Sequence, residues 1–258
     1  MLIRAAPVEE DTVRFCILCI LFLTLLLAPG GQSLAQESEE SEAQAQALLD
    51  AAVDRLQAAD SFKLTITQTG EPYPLSLTFD GVNMLPATLQ SAEAQYISPD
   101  ELHISASVRL FIPLSLDIYS LGDRQWLSFP SGAPWLQQPA FEDFDVNRLL
   151  APGDGIESVM ADLQDPRITD DQALINEQPA WKLGARAAGA GVSGLLFGFI
   201  EPGDDVELVA YITANDGRFV VLEITMLETV GEPEVEPSVW RIQFSDYDGP
   251  RDFEAPSP

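Results

Sequence analysis

The sequence predicts an α+β fold: one twisted antiparallel sheet whose concave face is covered in part by short helices. Three observations carry this. Runs that alternate apolar and polar residues recur along the chain, the pattern of an antiparallel sheet with one wet face. Helical periodicity is confined to a segment near the start and another in the middle. The remaining segments do not supply a second sheet, so the apolar face is left to the helices. What they do not cover would be an apolar cavity, the usual home of a hydrophobic ligand.

The elements follow in order. The run FCILCILFLTLLLA, Phe15 to Ala28, is shorter than the roughly 20 residues of a spanning helix. Ser33-Leu34-Ala35 supplies small residues at the positions a signal peptidase reads, so residues 1–35 read as an export leader cleaved after Ala35. Glu9, Glu10 and Asp11 spoil a cationic n-region, and a start at Val13 would restore it; a retained N-terminal anchor is the competing reading. Cys16 and Cys19 lie inside the apolar run rather than after it, which argues against lipid attachment. The mature chain then has no disulfide. Gln36 to Gln46 reads as an acidic spacer. A helix over Ala43–Ala59 places Leu49, Ala52, Val53 and Leu56 on one face.

Strands are expected at Phe62–Thr69, Gln90–Ile97 and Glu101–Val108, around Leu114, Leu116 and Ile118, and at Trp126–Phe129. The stretch NRLLAPGDGIESVMADLQDP, Asn147 to Pro166, reads as two helical pieces broken at Pro152-Gly153. Asp154 and Glu157 form a capping-box pattern, and Pro166 acts as a stop. Ala173–Ile175 and Trp181–Ala185 read as short strands. Val206–Ala214 and Arg218–Leu227 form a hairpin about Asn215-Asp216-Gly217. Ser238–Tyr247 is the last strand, and residues 249–258 read as a disordered tail. The folded domain is placed at residues 47–248.

Charge narrows the function. Forty-one acids face 13 bases, a net charge of −28, which excludes the clustered cations that nucleic-acid binding needs and disfavours electrostatic docking on anionic lipid. GAGVSG, Gly189 to Gly194, matches a dinucleotide fingerprint, but an antiparallel hairpin follows where a parallel crossover is required. The local alternatives are a Gly-Ala loop leading into a buried segment, or a gate built on Gly191, Gly194, Leu195, Phe197 and Phe199. Asp143, Asp145 and Asn147 begin a calcium-loop pattern that fails at Arg148 and Asp154. His103 is the sole histidine and is expected exposed on a polar strand face, too little for a zinc site. Asp204 and Asp205 imitate a carboxylate dyad. No nucleophile and base stand together, so the chain is read as non-enzymatic, without cofactor or metal. The tryptophans, Trp126, Trp135, Trp181 and Trp240, read as core or cavity lining.

The segment Pro134–Ala185 resembles the LppX/LprA/LprF/LprG family of actinobacterial envelope lipoproteins. The likeness rests on Trp135 after a short strand, the D-V-x-x-L-L run (Asp145, Val146, Leu149, Leu150), the Pro152–Gly155 linker, the amphipathic segment ending at Asp165-Pro166, and Ile175-Asn176 leading to Trp181-Lys182. It extends more weakly over residues 47–247. The resemblance implies a half-open β-barrel similar to the LolA and LolB carriers, with helices on the concave side and a deep cavity for a lipid or acylated glycolipid. The chain departs from the family in lacking the lipidated Cys. The expected function is an exported lipid-binding protein, monomeric, that carries a lipid across or within the envelope with transient membrane contact. Its cavity would be lined by Leu64, Ile66, Ile104, Leu116, Leu149, Leu150, Ile156, Val159, Met160, Leu163, Leu208, Ile212, Leu222 and Ile224. An envelope sensor or interaction module of the same fold is the alternative.

Overall fold

The structure, a computed structural model, describes residues 30–75, 78–79, 82–83, 87–109, 111–138, 149–150, 155–197, 200, 202–227 and 236–256. The leader run, the Asp143–Asn147 pattern and Phe199 lie outside them. The chain divides into two units, Met1–Ser41 and Glu42–Pro258. In the first, the described backbone from Gly30 is helical. None of the described helices is long and apolar enough to cross a membrane.

Helix α1 runs Gly30–Gln57 and so takes in the stretch expected to be a spacer. Glu, Gln and Ala are strong helix formers, and nothing before Asp60 breaks the run. In the second unit, Ala45, Leu49, Ala52, Val53 and Leu56 of α1 are buried. Their spacing of four, three, one and three keeps them on one face. Complete burial of a Leu stabilises by about 1.5–3 kcal/mol, so this stripe alone fixes the helix to the sheet.

The strands are β1 (Ser61–Thr69), β2 (Pro74–Leu75), β3 (Thr78–Phe79), β4 (Val82–Asn83), β5 (Ala87–Ile97), β6 (Glu101–Arg109), β7 (Pro113–Leu121), β8 (Arg124–Ser128), β9 (Leu136–Gln138), β10 (Gln164–Ile175), β11 (Gln178–Ala187), β12 (Val206–Thr213), β13 (Phe219–Met226) and β14 (Val239–Ser245). Helix α2 (Gly155–Ala161) precedes β10, and α3 (Gly189–Val192), continued by a 3-10 turn over Ser193–Leu196, separates β11 from β12. Twelve strands form one antiparallel sheet in the order β10-β11-β12-β13-β14-β1-β5-β6-β7-β8-β9, with β2 on β5; β3 and β4 pair separately. The end strands β10 and β9 do not pair with each other, so the sheet curls without closing and the fold is a half-open α+β barrel. The Asn215-Asp216-Gly217 turn forms as expected: Gly217 takes φ 64°, and its N–H donates to the Thr213 carbonyl at 3.0 Å.

Elements around the middle of the chain also differ from the sequence reading. β10 begins at Gln164, so Pro166 lies in a strand and does not terminate a helix. α2 ends at Ala161, before it. GAGVSG is not a loop but a short helix and a 3-10 turn. β11 and β12, on either side of it, pair antiparallel, which excludes a dinucleotide crossover.

The segment read as a disordered tail is held on the outer face of the sheet. Ser61 Oγ donates to the Gly249 carbonyl at 2.8 Å and Gln95 Nε2 to the Pro250 carbonyl at 2.8 Å. Lys63 bridges Asp246 at 3.0 Å and Asp252 at 2.6 Å, and Arg251 pairs with Glu101. Phe253 stacks on His103 with ring centroids 4.8 Å apart. His103 is therefore half-buried rather than exposed, and that burial lowers its pKa below 6.5.

Candidate functional site: the inner face of the sheet

Strand alternation places one apolar face toward the helices. The register links Ile168, Leu183, Ala210, Leu222, Ile242, Ile66, Ala92, Ala106 and Leu116 side by side in a single row, from β10 to β7. A neighbouring row runs Phe244, Leu64, Ala94, Ile104, Ile118, Leu127 and Leu136. Both rows exist because successive side chains on a strand point to opposite faces, and a one-residue slip would turn either toward water.

The cover over this face is uneven. Leu222, Ile242 and Ile66 are at most 3% exposed, beneath the apolar sides of α1, α2 and the 3-10 turn. Gln46 Nε2 donates to the Met160 carbonyl at 2.9 Å and Gln57 Nε2 to Glu157 Oε2 at 3.0 Å, which pins α1 beside α2. Ile156, Val159 and Met160 of α2 are buried in the same apolar cluster. Toward the other edge the cover thins. Ala106, Leu114, Leu116 and Leu127 are only partly buried, and Leu136 is 58% exposed. The inner face thus passes from a closed core, which includes Leu102, Ile104, Val108 and Ile118 at no more than 4% exposed, to a more open apolar wall at Ala106, Leu114, Leu116, Leu127 and Leu136.

Two polar atoms interrupt this surface. The indole Nε1 of Trp240, a residue 1% exposed, and the Oγ of Ser120 have no hydrogen-bond partner among the described residues. Trp240 shares the inward face with Ile242 and Phe244, and Ser120 shares that of Ile118. A buried donor left unpaired costs about 1–3 kcal/mol. An apolar ligand bearing one acceptor oxygen would recover that cost.

Of the cavity residues expected from sequence, Leu64, Ile66, Ile104, Leu149, Ile156, Val159, Met160, Leu208, Ile212, Leu222 and Ile224 lie in the one buried cluster. Leu116, Leu150 and Leu163 pack against it, half-buried. Leu195 and Phe197 of the expected gate are buried there too, with Gly194, whereas Gly191 is exposed. Phe197 takes left-handed backbone, φ 55°, a conformation that costs a non-Gly residue about 1–2 kcal/mol. Gly189 is required by close approach, because a Cβ there would run into the carbonyl oxygens of Pro202 and Asp204. Asp204 and Asp205 line a separate open depression of about 500 Å³ with Ala188, Gly189, Ala190, Gly203 and Leu227. Among the described residues no group of three or more His, Cys, Asp and Glu side chains is placed to hold a metal ion.

Sequence reasoning missed the open wall of Leu114, Leu127 and Leu136, and the orphaned indole of Trp240. A signal for the wall was present: Leu110-Phe111-Ile112 are three apolar residues in succession, which strand alternation does not absorb.

No family model matches the sequence, and no curated protein matches it. Solved structures do match in shape. LprF from Mycobacterium bovis superposes with a TM-score of 0.61 at 16% identity, over 83% of this chain and 98% of that one. Lipoprotein LppX of Mycobacterium tuberculosis superposes with a TM-score of 0.55 at 12% identity, over 83% of this chain and 100% of that one. The chain therefore has the half-open barrel fold of LprF and LppX.

Proposed function

We propose that this protein is an exported, non-enzymatic lipid carrier that holds the acyl chains of a lipid or acylated glycolipid against the inner face of its sheet. The observation that carries the reading is the passage from closed core to open apolar wall on one continuous face. A wall of Ala106, Leu114, Leu116 and Leu127 is costly to leave wet, and each methylene laid on it gains about 0.8 kcal/mol. The Trp240 indole N–H would donate to an ester or carboxyl oxygen of the lipid. The fold shared with LprF and lipoprotein LppX supports the reading. The expected gate at Leu195 and Phe197 sits in the same apolar cluster and would yield when a second chain enters.

The test is native mass spectrometry of the protein extracted gently from the membranes of its producing cell. A stoichiometric adduct that dissociates as a lipid is expected. A bare polypeptide that also fails to take up a fluorescent fatty-acyl probe would overturn the proposal.

A further inference from the structure

The hairpin between β6 and β7 ends in two adjacent apolar side chains in water: Phe111 is 85% exposed and Ile112 60%. Phe129, 47% exposed, stands at the same end of the sheet. The register pairs Ser128 with Asp117, and the Ser131 N–H donates to the Ser115 carbonyl at 2.9 Å, three residues from the hairpin tip. Both corners are stiffened by proline, Pro113 and Pro130. This end also adjoins the open wall, since Leu114 and Leu116 continue directly from the tip.

Acids are sparse along the chain at this end, where Asp117 is held by the hydroxyls of Ser105 and Ser131. In a chain with 41 acids, there is no Asp or Glu between Glu101 and Asp117, nor between Asp123 and Glu142. The first of these spans carries the exposed Arg109 beside the tip. Size decides the kind of partner. Three aromatic or branched side chains offer on the order of 400–500 Å², well under the roughly 800 Å² per side of a stable protein interface. A small, stiff apolar tip with one cation behind it instead matches a bilayer interface, where side chains enter the acyl region and Arg meets headgroup phosphate.

We infer that this end of the sheet docks on a phospholipid bilayer, with Phe111 and Ile112 entering the acyl layer so that the open wall faces the membrane. The inference rests on the carrier reading for its purpose, the transfer of lipid between bilayer and protein, but its test is separate. In the full chain bearing C16S and C19S, I112C is labelled with an environment-sensitive fluorophore and mixed with phosphatidylcholine vesicles containing a minority of phosphatidylglycerol. L174C, on the far edge strand β10 where Leu174 is 70% exposed, is the control. The label at position 112 is expected to shift to the blue and lose iodide quenching only when vesicles are added, while the label at 174 stays aqueous. F111S is expected to abolish the shift at 112. A label at 112 that stays aqueous with vesicles overturns the inference. So does one already shifted without them, which would mean self-association. Native mass spectrometry of the unlabelled wild-type chain keeps the two readings apart: retained lipid beside a label at 112 that stays aqueous sinks the inference alone, and absent lipid sinks the carrier.

Discussion

Leu116→Lys separates a lipid site from an ordinary core. Leu116 lies on the inner face of β7 beside Ala106 and is only partly buried. A lysine stem can follow the open wall and place its ammonium in water. Folding should then lose about 1 kcal/mol of half-buried Leu contact, a fall of roughly 2–4 °C in Tm for a domain of this size. A bound acyl chain would fare worse. The cation and its hydration displace roughly four methylenes, about 3 kcal/mol at 0.8 each, close to a hundredfold in Kd. Leu222→Ala gives the contrasting pattern. Leu222 is fully buried, so truncation should cost about 2–5 kcal/mol of stability. The assay is titration with a fluorescent fatty-acyl probe beside a thermal melt of each variant. A folded Leu116→Lys protein that binds the probe as tightly as the wild type would refute the placement of the chain on this wall.

Further expectations come from other parts of the structure. Trp240→Phe removes an unpaired buried donor and most of a ring's packing is kept, so the ligand-free melt should change by less than about 1 kcal/mol, while probe affinity falls. Gly189→Ala should destabilise by about 1–3 kcal/mol because its Cβ meets two carbonyls, whereas Gly191→Ala, with open space around it, should be neutral or stabilise by up to about 1 kcal/mol in its helix; denaturant titration distinguishes them. His103 is held neutral mainly by burial under Phe253, against the opposing fields of Asp117 and Asp252. Its depressed folded pKa means the unfolded chain binds the extra proton first, so its contribution is complete above pH 6.5 and is lost as pH falls through the lower folded value. Hydrogen-exchange protection factors at residues 249 and 251–253, corrected for the intrinsic pH dependence of exchange, should fall over that range in the wild type and not in His103→Phe, which keeps the ring stack but cannot titrate.

The inner face was legible in the sequence because it is wet on one side only. Leu64, Ile66, Ile104 and Ile224 alternate with polar residues, and period two reports a half-buried sheet directly. β10 was legible only at its end. As an edge strand it is largely exposed, its run QDPRITDDQ has no alternation, and its pairing with β11 is interrupted by three register shifts. Edges carry Pro and charge for the same physical reason that hides them from pattern reading. The C-terminal strap was illegible because its partners, Ser61, Lys63, Gln95 and His103, lie far away in the chain. Composition near a terminus says nothing about such contacts. The reach of α1 is legible in propensity, since GlnGluSerGluGluSerGluAlaGlnAlaGln is helix-forming as well as polar. The site was legible as a list of residues but not as a gradient, because sequence cannot say which part of an apolar face its helices leave open.

The central claim is that acyl chains lie on the inner face where the cover thins. Photocrosslinking with a diazirine-bearing fatty acid, followed by peptide mapping, tests it most directly. The account predicts labelling concentrated on β6–β8 around Ala106, Leu114, Leu116 and Leu127, and at Trp240, competed away by unlabelled fatty acid. Labelling confined to the outer face, around His103, Phe253 and Lys63, or to the depression at Asp204 and Asp205, would contradict it.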